Sequence, residues 1–129
     1  MSVMLTPEQQ DIKDLVRSFM ENEVKPHIKE YDESGEFPVE LYKKGFELGF
    51  HLLDIPEEFG GSGLDHKTMV VALEEMGRVE PAYAITMLCT SLALECVLLS
   101  GTKEQIKLFS DRLVPGSFGC FCLTEPNSG

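Results

Sequence analysis

The sequence predicts an all-α domain of about five helices that runs into one closing strand. Three observations carry this. Two helix-start signals, Thr6-Pro7-Glu8-Gln9 and Thr102-Lys103-Glu104-Gln105, bracket the region. Apolar residues recur at helical spacing between them. Only Phe118–Thr124 has the aromatic and small apolar run of a buried strand.

The first helix opens on that capping box, with Pro7 at its first position. Ile12, Leu15, Val16 and Phe19 form its inward stripe, and Val24, Ile28 and Tyr31 continue the period. Pro26 interrupts it by removing one backbone donor, so a bend is expected there, and Asp32–Glu36 is a turn. Phe37-Pro38 opens a second helix that carries Leu41, Tyr42 and Phe46 inward and stops near Gly49. From Leu52 to Gly63 a proline and three glycines impose a loop with unusual backbone angles. That loop lacks the glycine spacing of a phosphate cradle.

A third helix, about Asp65 to Glu80, places Met69, Val70, Leu73 and Met76 at core spacing, and Pro81 ends it. The fourth, about Tyr83 to Ser100, is apolar nearly all round and therefore buried on more than one side. Gly101 ends it, and the fifth runs through Leu113. A lone strand cannot satisfy its backbone hydrogen bonds, so a further domain is expected to complete it.

Composition narrows the function. Eleven basic against twenty-two acidic residues give a net charge of −11, which disfavours nucleic acid as a partner. No unbroken apolar run approaches the ~20 residues of a membrane helix, so none is expected. The first residues lack a secretory pattern, which makes the cytoplasm the simplest address. Cys89, Cys96, Cys120 and Cys122 form no C-x-x-C pair, and His27, His51 and His66 are scattered. Reduced thiols and no metal are expected.

Three stretches in register resemble acyl-CoA dehydrogenases. They are Gly35-Glu36-Phe37-Pro38, the run from Ile55 to Asp65 together with Leu73-Glu74-Glu75-Met76-Gly77, and the run from Cys122 to Gly129. The resemblance implies that residues 1–114 are the amino-terminal helical domain and 115–129 the start of the middle β domain, cut within the flavin-binding motif. It further implies FAD as cofactor and α,β-dehydrogenation of an acyl-CoA thioester to the trans-2-enoyl-CoA. An electron-transferring flavoprotein would serve as acceptor, and the assembly would be a homo-oligomer, commonly a tetramer.

By the same resemblance Phe121 packs by the flavin, Leu123 offers backbone contacts, the Thr124 hydroxyl bonds to the ring system, and Gly129 precedes a flavin-contacting serine. The catalytic base is expected in a carboxy-terminal domain, so no catalytic residue is assigned here, and the 129-residue chain alone is expected to be inactive. Leu88 and Leu92 on the fourth helix are candidates for lining an acyl pocket, with Thr86, Cys89, Thr90 and Ser91 as small neighbours. Two alternatives stand beside this reading. One is a family relative such as an acyl-CoA oxidase or a nitroalkane oxidase, and the other is a standalone helical interaction module.

Overall fold

The computed structural model describes residues 4–120, 122, 124, 126 and 127. Six α-helices follow in order: α1 Pro7–Phe19, α2 Ile28–Ser34, α3 Val39–Glu47, α4 His66–Val79, α5 Pro81–Ser100 and α6 Lys103–Leu113. The first two are the halves of the one long helix read from sequence. Between them the backbone widens into a π-turn over Met20–Val24 and tightens into a 3₁₀ turn over Lys25–His27. The irregularity expected at Pro26 is thus a change of winding that keeps the chain helical and buries both Met20 and Val24.

The start of α1 is joined to the start of α4. Thr6 Oγ1 accepts from the Gln9 N–H at 3.2 Å, and Gln9 Oε1 accepts from the Thr6 N–H at 3.1 Å. The Gln9 amide nitrogen also donates to Asp65 at 3.2 Å. Asp65 in turn caps α4 by accepting from the Thr68 N–H at 2.8 Å and the Thr68 hydroxyl at 2.6 Å. Each cap satisfies backbone donors that a helix start leaves open.

Lower on the same seam, Arg17 makes a two-pronged contact with Glu75, Nε to Oε2 at 2.9 Å and Nη2 to Oε1 at 2.8 Å. The Glu75 side chain is 4% exposed, and Lys13 and Arg78 stand at 3.6 and 3.5 Å. The hydrogen bond from Arg17 holds the Glu75 carboxyl below the usual carboxylate range. Around this seam Val16, Phe19, Met20, Val24, Met69, Ala72, Met76 and Met87 close one core with Leu41, Tyr42, Phe46 and Phe50.

Two apolar residues assigned to the core from periodicity lie outside it: Leu15 is 45% exposed and Val70 62% exposed. The buried face of α4 is instead Thr68, Met69, Val71, Ala72, Glu75 and Met76. Glu75 and Thr68 hold inward positions because each is bonded there, which turns Val70 outward.

Helix α5 also departs from expectation. By length and composition alone it could cross a membrane, with 20 residues and a mean hydropathy of 1.8. Thr86, Thr90, Ser91 and Glu95 break the apolar string without lowering its average much, which hides its length from a search for an unbroken apolar run. In the fold it packs between α4 and α6.

Among the described residues no strand is formed. Phe118, Gly119, Cys120, Cys122 and Thr124 are irregular, while Phe121 and Leu123 lie outside the described residues. Strand geometry is held by pairing, and the described chain offers no second strand.

Candidate functional site

The candidate site is built on α5 because its two faces differ. One face carries Tyr83, Ala84, Met87, Thr90, Ser91 and Leu94, all buried in the bundle. The other carries Ile85, Leu88, Leu92, Cys96 and Leu99, spaced three or four apart and so aligned along the helix. Leu88 and Leu92 are half-buried, while Ile85 is 60% and Leu99 85% exposed. The inward face mixes large side chains with the small and polar Ala84, Thr90 and Ser91, and the outward stripe is apolar and open at Ile85 and Leu99.

Helix α3 fixes how deep α5 sits. A Cβ on Gly45 would fall on the Tyr83 hydroxyl and lie 2.5 Å from Met87 Cε, so only glycine lets the two helices approach this closely. Tyr42 and Tyr83 stack with ring centroids 4.6 Å apart. The Tyr83 hydroxyl donates to Leu41 O at 3.1 Å, and the Tyr42 hydroxyl lies 3.2 Å from both Ala82 O and Thr86 Oγ1. Burial pushes both phenols above their ordinary pKa. They are neutral hydrogen-bond donors here and not acid–base groups.

The segment after α6 is laid against the middle of α5. The Gly119 N–H donates to Thr90 Oγ1 at 3.3 Å, and Thr90 donates to Thr86 O at 3.0 Å. A Cβ on Gly119 would come within 2.8 Å of Ala93 Cβ and 3.1 Å of Thr90 Cα. Phe118 sits edge-on to Phe37, Tyr42 and Phe46 at 5.1 to 5.5 Å. A cavity of about 440 Å³ opens between this segment, Ala93 and the α6 residues Leu108, Phe109 and Arg112.

Of the residues assigned to a flavin from the sequence, Phe121, Leu123 and Gly129 lie outside the described residues. Thr124 is exposed and in irregular backbone. Four residues separate it from Gly119, so it lies at most about 18 Å from that anchored glycine. From the sequence alone Thr90 is only a small neighbour and Gly119 has no role. A glycine inside a strand-like run marks a close backbone approach, and that signal could have found it.

The loop before α4 makes a second contact with α5. Gly60 and Gly63 take positive φ, as expected of this stretch. Asp54 accepts from the Ser91 hydroxyl at 3.2 Å and from His66 Nδ1 at 3.0 Å. His66 Nδ1 is also 4.0 Å from Glu95 Oε1. The hydrogen bond to Asp54 raises the His66 pKa, while burial and the nearby Asp54 charge raise that of Glu95. His51 is fully buried, with Nε2 2.9 Å from Leu113 O. Burial lowers its pKa, so it is neutral and donates through Nε2.

Residues 6–117 match the family described as "Acyl-CoA dehydrogenase, N-terminal domain". The chain belongs to this family. A probable acyl-CoA dehydrogenase of Bacillus subtilis is 37% identical over 131 residues, covering all of this chain and 34% of that protein. A subunit of the caffeyl-CoA reductase–Etf complex of Acetobacterium woodii is 40% identical, covering 92% of this chain and 32% of its own length. The structure of butyryl-CoA dehydrogenase from Megasphaera elsdenii superposes with a TM-score of 0.89 at 34% identity, covering all of this chain and 35% of that one. The chain therefore spans about a third of the length of these relatives.

Proposed function

We propose that this chain is the amino-terminal helical part of an FAD-dependent acyl-CoA dehydrogenase that converts an acyl-CoA thioester to the trans-2-enoyl-CoA. The observation that carries this reading is the match of residues 6–117 to the amino-terminal domain of acyl-CoA dehydrogenases, to which the open apolar stripe on α5 adds a surface for an acyl chain. An open apolar wall is what a fatty acyl chain requires.

The resemblance puts FAD at the end of the segment after α6, and the exposure of Thr124 supports that. The exposed Thr124 hydroxyl would meet the ring system, with Phe121, Leu123 and Gly129 assigned to it by resemblance. When bound, FAD would accept the two electrons that leave the substrate. The chain's own part is to position and to exclude water. Leu88 and Leu92 would line the acyl path, and the neutral Tyr42 and Tyr83 hold α5 in place without competing for protons. Abstraction of the α-proton is assigned to a carboxylate outside these 129 residues.

The likeness to a subunit of a reductase–Etf complex supports an electron-transferring flavoprotein as redox partner. It also favours a second reading, reduction of an enoyl-CoA in the opposite direction. We place the protein in the cytoplasm, in a homo-oligomer, with no membrane span.

One assay separates these readings. The intact protein, supplied with FAD and saturated acyl-CoAs from short to long chain, is expected to form enoyl-CoA with an artificial electron acceptor. Turnover of enoyl-CoA only, with a reduced donor, would select the second reading. Neither reaction with any chain length would overturn both.

A further inference from the structure

We propose that Asp54, His66 and Glu95 form a binding site for a first-row divalent cation, with Zn²⁺ as the best fit. The three donors come from separate places: the loop before α4, the first residue of α4 and the fourth turn of α5. Their ligand atoms all lie within 4.8 Å of one another. The separations from His66 Nδ1, 3.0 Å to Asp54 Oδ2 and 4.0 Å to Glu95 Oε1, bracket the spacing a tetrahedral ion imposes. Ligands about 2.0–2.1 Å from Zn²⁺ stand ~3.3 Å apart. Small side-chain rotations close the difference.

Charge is the second, independent observation. The Asp54 side chain is 6% exposed and that of Glu95 25% exposed, so two carboxylates meet where water screens them poorly. Among the described residues no lysine or arginine stands within 4.0 Å of either; His66 is their one basic neighbour. Elsewhere the buried carboxylate Glu75 is surrounded by Arg17, Arg78 and Lys13. The Asp54–Glu95 pair lacks such compensation, and a cation supplies it.

The donor set selects the ion. One imidazole nitrogen and two carboxylate oxygens suit Zn²⁺ or its first-row neighbours, whereas Mg²⁺ and Ca²⁺ require six or more oxygens. Ser91 orients Asp54 from behind, as outer partners of metal-bound carboxylates do. The side chain of His66 is 82% exposed, which leaves one side of the ion open to water. Binding would release the proton that His66 now donates to Asp54 and would pin the loop to α4 and α5.

The test is calorimetric titration of the intact protein with ZnCl₂, its cysteines alkylated so that thiolates cannot compete. It is repeated on His66→Ala and Glu95→Gln. One site per chain is expected, and each substitution should weaken it by at least about tenfold. His66→Ala removes a surface side chain and keeps the test readable if Glu95→Gln does not fold. Two results would overturn the proposal. Absence of saturable binding by the unaltered protein would mean that a shared proton relieves the Asp54–Glu95 pair. Unchanged affinity in both variants would mean that the ion sits elsewhere.

Discussion

The seam between α1 and α4 and the outer stripe of α5 are built on opposite terms. At the seam, polar groups are bonded to one another: Thr6 with Gln9, Gln9 with Asp65, Arg17 with Glu75. Along the stripe, Ile85 and Leu99 are apolar and uncovered. A buried polar group costs free energy unless it is bonded, so the seam is a finished structure. An uncovered apolar row gains nothing in water, so the stripe adds no stability to the described residues. The chain stabilises itself on one side and offers a surface on the other.

Breaking the seam should have the largest effect. Replacing Arg17 by Ala removes both prongs from the buried Glu75 carboxylate and leaves only Lys13 and Arg78 nearby, and we expect the largest loss of stability of the substitutions named here, read by chemical denaturation. The same pair sets an acid limit. Because the folded pKa of Glu75 is depressed, its stabilisation is present above the unfolded value of about 4.3 and is lost as pH falls through the folded value. Arg17→Ala should flatten that part of the stability–pH curve, and an unchanged acid slope would show that the pair contributes little.

Next in size, Gly45→Ala tests whether α3 and α5 are as close as they stand. The new methyl must displace the Tyr83 hydroxyl, and a cost of about 1–3 kcal/mol in thermal or urea unfolding is expected. A neutral result would mean that α5 can shift outward at no cost.

The smallest effect belongs to the stripe. Leu99→Gln should change the stability of the 129-residue chain by less than about 0.5 kcal/mol and raise its solubility. A large loss would show that Leu99 is covered within the chain and would remove the contrast.

The helices were readable because their ends carry chemistry that few other structures use: the Thr6 and Thr102 boxes and Pro81, which ends α4. The turn expected at Asp32–Glu36 begins later, since α2 runs through Ser34 to its cap at Gly35. Periodicity placed Val16, Phe19, Met69 and Met76 in the core. It misplaced Leu15 and Val70 because hydropathy cannot see a partner that lets Glu75 or Gln9 take an inward position. The candidate site was legible only in part. Leu88 and Leu92 are on the open side of α5, as a lining role needs, but the link from Gly119 to Thr90 joins residues 29 apart and no local pattern announces it. Asp54, His66 and Glu95 escaped for the same reason, since metal-site signatures rest on short spacing and this group gathers through the fold.

The π-turn at Met20–Val24 makes the length of its stretch count. The Lys25 N–H reaches back five residues to Met20 O, so this winding holds one residue more than an ordinary turn. Deleting one residue there would restore regular winding while the helix faces before and after it keep their alignment, so Ile28 and Tyr31 would stay packed on the core. A one-codon deletion in this stretch should therefore be better tolerated than one inside α1, where every later side chain would turn by about 100° about the helix axis.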